Sequence, residues 1–228
     1  NILIIPGDGI GQEVTTWGKQ ALQTIAQKYN HEFIFDEAIM GHTAIEATGN
    51  PLPDETLEKA KASDAILFGA IGHAKYDNDP SAKVRPEQGL LKIRKELGLY
   101  ANLRPILLFD ELLDASSLKP EVLRGTDILF FRELTGDVYF GEKKRNEDNT
   151  FASDLMNYHR YEVERIARKA YEAARTRGKK LCSVDKANVL ETSRLWREVV
   201  QELAKEHSDV ETEHMYIHNA DMQMVNNP

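Results

Sequence analysis

Short apolar segments alternate with amphipathic ones along most of the chain. The predicted strands are residues 2–6, 32–36, 65–71, 101–108, 127–133, 180–185 and 210–217. The predicted helices, whose apolar residues recur every three or four positions, are 12–29, 53–62, 86–97, 160–176 and 191–206. Strands that are apolar throughout, such as 2–6 and 65–71, are typical of sheets covered on both faces. The pattern therefore predicts an α/β fold with a mostly parallel sheet.

Two segments add detail to this pattern. The first long helix carries one apolar stripe, formed by Val14, Trp17, Ala21, Leu22, Ile25, Ala26 and Tyr29. Near residues 134–151 the alternation stops, and a short strand at 137–141 followed by a charged loop at 143–149 predicts a β-hairpin arm. We place a domain boundary near residue 100, with a first domain at 1–100 and a second, which carries the arm, at 101–228.

Composition narrows the class of protein. The chain has 228 residues, a net charge of −8 and 41% hydrophobic residues. This acidic balance argues against a nucleic-acid-binding protein, and no apolar run reaches the ~20 residues of a membrane span. The lone Cys182 cannot form an internal disulfide. It lies in a predicted buried strand, where an inert core thiol is favoured over a reactive one. A cytoplasmic protein is the simplest prediction.

A glycine-rich turn, GDGIG at residues 7–11, joins the first strand to the first helix. Phosphate-binding loops lie at such places. However, the spacing is G-x-G-x-G, and no clear acidic partner follows ~20 residues later, as a dinucleotide fold requires. A tight structural turn is therefore favoured over a phosphate cradle.

The predicted helix at 86–97 carries charged and apolar side chains at helical spacing. Glu87, Leu90, Leu91 and Arg94 stand at i, i+3, i+4 and i+7, and thus share one face. From this helix alone, the favoured interpretation is that the two leucines belong to the core and that Arg94 is solvated. A carboxylate, an apolar pair and a guanidinium on one face also suit a substrate pocket.

Two further arginines, Arg104 and Arg132, lie within predicted strands. A charge at the edge of a buried strand needs a partner. One hypothesis pairs each arginine with an acid such as Glu133. The other has Arg94, Arg104 and Arg132 converging on the carboxylates of a ligand at the strand ends. The residues alone leave both open.

Lys186 and Asn188 follow the strand 180–185 directly. A lysine there can act as a general base toward a substrate hydroxyl, with Tyr139 as the matching acid. The alternative is an exposed lysine paired with Asp185 and a tyrosine packed on the arm. Spacing does not separate these hypotheses.

Six segments together resemble the β-decarboxylating dehydrogenases, the isocitrate/isopropylmalate dehydrogenase family, and within it the 3-isopropylmalate dehydrogenases. They are PGDGIGQEV (6–14), RPEQGLL (85–91), YANLRP (100–105), RELTG (132–136), YFGE (139–142) and SVDKANVL (183–190). The resemblance implies a two-domain, non-Rossmann α/β fold with a hairpin arm. It also implies NAD as cofactor, a divalent Mg or Mn ion, and a homodimer with shared active sites.

The resemblance also implies roles for individual residues. Arg94, Arg104 and Arg132 would hold the carboxylates of a small dicarboxylate, Lys186 would take the hydroxyl proton, and Tyr139 would protonate the enol. Gly72, Glu87 and Asn188 would contact the cofactor, and Val189 would join Leu90 and Leu91. That leucine pair would bind the isopropyl group and disfavour the third carboxylate of isocitrate. Homoisocitrate and tartrate dehydrogenases share much of this pattern.

The chain departs from the family pattern at three positions. His218 stands where a metal-binding aspartate is expected, with Asp221 nearby, and histidine suits Mn, Fe or Zn better than Mg. Asp137 and His73 stand where glycine is expected. The chain also stops before the remaining metal-binding aspartates, so we expect it to be part of a longer polypeptide. A catalytically impaired homologue or fragment that binds a dicarboxylate, or a generic α/β binding protein, are the alternatives.

Overall fold

A computed structural model describes residues 1–77, 79 and 81–228. The chain divides into two compact units, Asn1–Gly98 and Leu99–Pro228. Within the described residues, none of the helices has the length and apolar character to cross a membrane.

The first unit is built on a parallel three-stranded sheet of order β2-β1-β3. Its strands are β1 (Ile2–Gly7), β2 (Phe35–Glu37) and β3 (Ala65–Ala70). Its helices are α1 (Gly11–Tyr29), α2 (His42–Thr48), α3 (Asp54–Ala62) and α4 (Pro86–Glu96), and a short 3-10 turn lies at Ala74–Tyr76. The core combines Leu3 and Ile5 of β1 with Met40, Leu52 and Ile93, all buried. The sequence pattern predicted these elements except α2 and the 3-10 turn.

Helix α1 packs through small residues instead of its apolar stripe. Gly11 and Thr15 are its buried residues, and the position of a β-carbon on Gly18 lies 3.3 Å from the Leu67 side chain. Close approach of the helix backbone to the sheet therefore selects small side chains on the inner face. Within this unit the stripe lies mostly on the outer side, and Trp17 is 64% exposed.

The second unit contains two two-stranded sheets and a hairpin. Its strands are β4 (Ala101–Leu107), β5 (Asp127–Glu133), β6 (Lys143–Arg145), β7 (Ala152–Asp154), β8 (Lys180–Asp185) and β9 (Glu211–Tyr216). Its helices are α5 (Pro120–Leu123), α6 (Arg160–Arg175), α7 (Glu191–Glu206) and α8 (Ile217–Asn226), with a 3-10 helix at Asp110–Ala115. β4 pairs antiparallel with β5, and β8 pairs parallel with β9. The core lies between α6 and α7, where Val163, Tyr171, Val199 and Leu203 are buried.

The hairpin arm forms, but it begins later in the chain than predicted. Its strands β6 and β7 pair antiparallel. The strand predicted at 137–141 is wrong, because these residues form bends and turns. Asp137 has φ = 70°, in the left-handed region, and its N–H donates to the Asn157 carbonyl at 3.0 Å. A strand cannot continue through such a residue.

This strained aspartate gives a first testable prediction. L-residues are disfavoured in the left-handed region, although Asp is among those that tolerate it. We expect Asp137→Gly to raise the free energy of unfolding by about 0.5–1 kcal/mol, and Asp137→Ala to lower it, because only glycine relieves the backbone. Urea unfolding of the two variants measures the difference. Equal stability of the two would contradict the strain.

The prediction that Cys182 is a core residue is wrong, because this residue is exposed. Side chains alternate along β8, and the buried positions are Ser183 and Asp185. Local desolvation, together with the Glu213 carboxylate, nevertheless raises the pKa of the Cys182 thiol to about 11. The thiol therefore stays protonated at neutral pH, which agrees with the prediction that it is unreactive.

Candidate active site

The glycine-rich turn after β1 is organised around a buried carboxylate. Asp8, 3% exposed, accepts hydrogen bonds from the backbone N–H groups of His42 (3.0 Å), Thr43 (3.2 Å) and Gly72 (3.0 Å). Gly7 has φ = 70°, and a β-carbon on Gly11 would collide with backbone atoms of β1 and β3. The glycines thus serve turn geometry and close packing. A carboxylate already occupies the N-terminus of α2, so an additional phosphate there would be repelled.

Asp8 fixes the start of the loop after β3, which contains the candidate residue Gly72. A β-carbon on Gly72 would lie 3.5 Å from Glu87 Oε1, so the loop backbone passes beside the exposed Glu87 carboxylate on α4. The adjacent His73 ring stacks on His42 with centroids 3.9 Å apart. Its Nδ1 accepts from the N–H of Lys75 at 3.2 Å. Histidine at 73 therefore has a packing role in the loop.

Helix α4 presents the predicted four-residue face. Glu87, Leu90, Leu91 and Arg94 all lie within the helix. Leu90 packs partly against the core, while Leu91 and Arg94 are half-buried. The leucines are thus not wholly internal. The N-terminus of α4 is held by Arg85, which donates to the carbonyls of Tyr76 and Asp79, at 2.6 Å each.

In the second unit, Arg104 and Arg132 occupy one face of the β4–β5 sheet. Asn102 is directly opposite Arg132, and Arg104 is two residues further along β4, so all three side chains point to the same side. Arg104 Nε donates to Asn102 Oδ1 at 2.9 Å. The Arg132 guanidinium lies 5.3 Å from the centroid of the Tyr139 ring, a cation–π distance. Two predicted anion-binding residues and the predicted acid are therefore close together.

Glu133 is the partner of another arginine. Its carboxylate forms an ion pair with Arg165 of α6 at 2.5 Å. The hypothesis that Glu133 neutralises Arg132 is therefore wrong. Both Arg104 and Arg132 are exposed and free to approach a ligand.

Lys186 lies at the carboxyl end of β8 and contacts His218. Its Nζ is 3.1 Å from His218 Nδ1, and its backbone N–H donates to Ser193 Oγ at 3.1 Å. The His218 ring also stacks on Tyr216, with centroids 5.7 Å apart. The alternative pairing of Lys186 with Asp185 is wrong, because Asp185 binds Arg197 through both carboxylate oxygens at 2.8 and 3.0 Å. Asn188 is exposed two residues further on.

The strand beneath Lys186 is fixed by side chains of α7. Trp196 Nε1 donates to Ser183 Oγ at 3.2 Å, and the half-buried Trp196 ring meets Tyr158 edge to face. The Arg197 guanidinium also lies 4.8 Å from the centroid of the Tyr216 ring. Lys186 and His218 are thus held by a packed layer of aromatic and charged groups.

The described residues do not by themselves form a complete divalent metal site. Across residues 1–77, 79 and 81–228, no group of three His, Cys, Asp or Glu side chains is arranged to bind one. His218 Nδ1 is engaged by Lys186, so this nitrogen is not available as a ligand. Asp221 is exposed one turn further along α8.

Sequence reasoning missed the ion pairs that support the site. Glu133–Arg165 and Asp185–Arg197 are both formed by a strand-end acid and a helix arginine, and both acid side chains are nearly fully buried. The available signal was the position of Arg165 and Arg197 beside apolar helix positions, where a charge requires a buried partner.

Comparison with known proteins identifies the family. The family model described as isocitrate/isopropylmalate dehydrogenase matches residues 1–228. The chain belongs to the isocitrate/isopropylmalate dehydrogenase family. Among curated members of this dehydrogenase family, 3-isopropylmalate dehydrogenase of Sulfurimonas denitrificans is 52% identical over 227 residues. That of Shouchella clausii is 54% identical over 230 residues. Each match covers 100% of this chain and 63% of the relative, so the chain spans about two thirds of its relatives' length.

Solved structures of the isocitrate/isopropylmalate dehydrogenase family have the same fold. The isocitrate dehydrogenase of Methylococcus capsulatus is 30% identical with a TM-score of 0.81, covering 98% of this chain and 62% of that one. A β-decarboxylating dehydrogenase of Thermococcus kodakarensis is 33% identical with a TM-score of 0.72, covering 100% of this chain and 60% of that one. The predicted α/β, non-Rossmann family fold is confirmed.

Proposed function

We propose that the protein oxidises and decarboxylates 3-isopropylmalate to 2-oxoisocaproate with reduction of NAD, a reaction of leucine biosynthesis. The observation that carries the proposal is the placement of Arg104 and Arg132 on one sheet face, with Arg132 against Tyr139. Two guanidinium groups and a phenol suit a carboxylate-bearing substrate that must be protonated after losing carbon dioxide. Relatives that are 52% and 54% identical to this chain over the aligned residues carry the name of this activity.

Lys186 is the proposed base. A neutral Nζ has two hydrogens and one lone pair, so it donates to His218 Nδ1 while its lone pair accepts the substrate hydroxyl proton. When bound, NAD supplies the acceptor for the hydride that leaves the same carbon. The resulting ketone permits the neighbouring carboxylate to leave as carbon dioxide, and the electron pair of the broken bond forms an enolate. Tyr139 then donates a proton to carbon.

Five further side chains have roles in the proposal. The Glu87 carboxylate, beside Gly72, can accept hydrogen bonds from a ribose diol, and the exposed Asn188 amide can bind a polar group of the cofactor. Arg94 would add a third guanidinium, and Leu90 and Leu91 would bind the isopropyl group.

We also propose a cytoplasmic homodimer in which Lys186 and His218 of one subunit serve the active site of the other. Exposed apolar side chains surround these two residues in the chain and support a subunit interface there. Val189 is 60% exposed, Ile217 42% and Met222 59%.

Substrate preference tests the proposal. NADH formation by the full-length protein is measured with 3-isopropylmalate and isocitrate in parallel. We expect Leu91→Ala to lower kcat/KM for 3-isopropylmalate about tenfold, because part of an isopropyl contact worth roughly 1.5–3 kcal/mol is lost. The matched control is Leu97→Ala, at the end of the same helix and packed against the core. Preference for isocitrate, or an equal loss in both variants, would contradict the leucine pocket.

A second candidate is a dicarboxylate-binding homologue without turnover. The contact of Lys186 with an imidazole at the expected position of a carboxylate favours it. Calorimetry with 3-isopropylmalate, beside the NADH assay, separates the two. If 3-isopropylmalate binds but no NADH forms, with or without added Mn²⁺, the protein is a binding protein and not an enzyme.

A further inference from the structure

One buried carboxylate lies immediately beside the proposed substrate-binding residues but outside the proposed chemistry. Glu133, 4% exposed, follows Arg132 at the end of β5. Its Oε2 accepts the backbone N–H groups of Thr135 (2.8 Å) and Gly136 (2.7 Å), and its Oε1 accepts the Thr135 hydroxyl (3.0 Å). The carboxylate therefore folds the next three residues back over itself.

The cation paired with this carboxylate is Arg165. Arg165 Nη2 donates to Glu133 Oε1 and to Thr135 Oγ1, both at 2.5 Å. The guanidinium lies 4.5 Å from the centroid of the Tyr100 ring and 5.3 Å from that of Tyr161. Arg165 Nε is buried and has no hydrogen-bond partner among the described residues. Charge balance and aromatic contact thus hold Arg165 in place, even though one donor is left unpaired.

The segment held by this pair connects two proposed functional side chains. The chain runs from Arg132 through the Glu133 turn to Tyr139, and its Gly136 packs against the Tyr158 ring, 3.0 Å from the position of a β-carbon. Burial, together with the Asp137 and Glu133 carboxylates, raises the pKa of Tyr158, so this neighbour stays protonated and neutral. The turn therefore packs against the Tyr158 ring and is bound by the Arg165 guanidinium. Arg132 and Tyr139 remain exposed at its two ends.

We propose that Arg165 is a positioning residue for Tyr139, acting through the Glu133 carboxylate and the turn at residues 134–137. This inference rests on the proposed function, in which Tyr139 donates the last proton. In this proposal, Arg165 acts on the turn and not on the substrate. It neutralises the carboxylate that holds the turn, and so sets where the phenol lies relative to Arg132.

A purely structural ion pair would predict a different result. Loss of such a pair lowers the stability of the fold but leaves the relative rates of the reaction steps unchanged. Loss of a positioning residue slows the step that uses Tyr139 and spares hydride transfer, which uses Lys186. A step after hydride transfer then limits turnover, so the first turnover releases a burst of NADH before a slow steady state.

The experiment compares Arg165→Met, Arg165→Lys and Thr135→Val in the full-length protein. Arg168→Met is the matched control, because Arg168 lies on α6 and forms an exposed ion pair with Glu206. We expect Arg165→Met to lower kcat about 10- to 100-fold. The amplitude of its NADH burst should be close to one NADH per active site. Arg165→Lys restores part of the rate, and Thr135→Val, which keeps the ion pair, lowers kcat about threefold or more.

A second readout needs no activity. We expect amide hydrogen exchange at Thr135 and Gly136 to become about tenfold faster in Arg165→Met and to stay unchanged in Arg168→Met. If the unmodified protein forms no NADH, the proposed function fails, whereas the exchange rates still test whether Arg165 holds the turn. Unchanged exchange, or a folded Arg165→Met protein with normal kcat, overturns the inference. If Arg165→Met does not fold, a Thr135→Val protein with normal kcat and normal exchange overturns it.

Discussion

Lys186→Ala is expected to lower kcat for 3-isopropylmalate oxidation by about 10²–10⁴-fold, with little change in KM. The variant removes the group that accepts the hydroxyl proton, while Arg104, Arg132 and Tyr139 keep their places on other elements. Steady-state NADH formation in the full-length protein measures the loss. A small primary amine added to the Lys186→Ala protein should restore part of the rate, because it can occupy the vacated position as a base.

The control is Lys180, at the opposite end of β8 from Lys186. Lys180 is exposed at the start of β8, so Lys180→Ala should leave kcat unchanged. A Lys186→Ala protein with activity within threefold of the unmodified protein would remove Lys186 from the mechanism. Loss of activity without amine rescue but with loss of folding would instead assign Lys186 a structural role.

Asp8→Ala is expected to lower the free energy of unfolding of the first unit by about 3–5 kcal/mol. The substitution leaves three backbone N–H groups, from His42, Thr43 and Gly72, without their acceptor. Charge-assisted hydrogen bonds of this kind are stronger than neutral ones. Thermal unfolding followed by circular dichroism measures the loss, and the amide of Gly72 should exchange faster with solvent.

Two further variants serve as controls for the Asp8→Ala prediction. Asp8→Asn keeps one side-chain oxygen acceptor, so it should recover part of the lost stability. Asp54→Ala removes a carboxylate that is 91% exposed, and its effect should stay below about 1 kcal/mol. If Asp8→Ala and Asp54→Ala are equally stable, the Asp8 carboxylate does not hold the loop that contains Gly72.

The sequence predicted regular elements best where apolar periodicity was strong. The strand at Lys180–Asp185 and the helix at Glu191–Glu206 have the predicted bounds. Prediction failed where small residues or backbone geometry decided the outcome. The inner face of α1 is set by Gly11, Thr15 and Gly18, which hydrophobicity does not mark, and the left-handed Asp137 converts an apparent strand into a turn.

Candidate site residues could be placed on helices and strands from the sequence, whereas their contacts could not be predicted. Glu87 and Leu91 could be placed on one face because helix geometry fixes residues three and four apart. Arg132 and Tyr139 came from motif resemblance, and their contact became visible only in three dimensions. Periodicity carries no information on pairs such as Glu133 and Arg165, which are 32 residues apart in the chain. For the same reason, the contact of Lys186 with His218 followed from folding rather than from spacing.

The different surroundings of the two tryptophans have a practical consequence. Trp17 belongs to the first unit and is largely in water, whereas Trp196 belongs to the second and is half-buried between Ser183 and Tyr158. The chain has no other tryptophan. Intrinsic fluorescence therefore carries one reporter for each unit, and replacing either indole with phenylalanine lets the melting of the other unit be followed without an added dye.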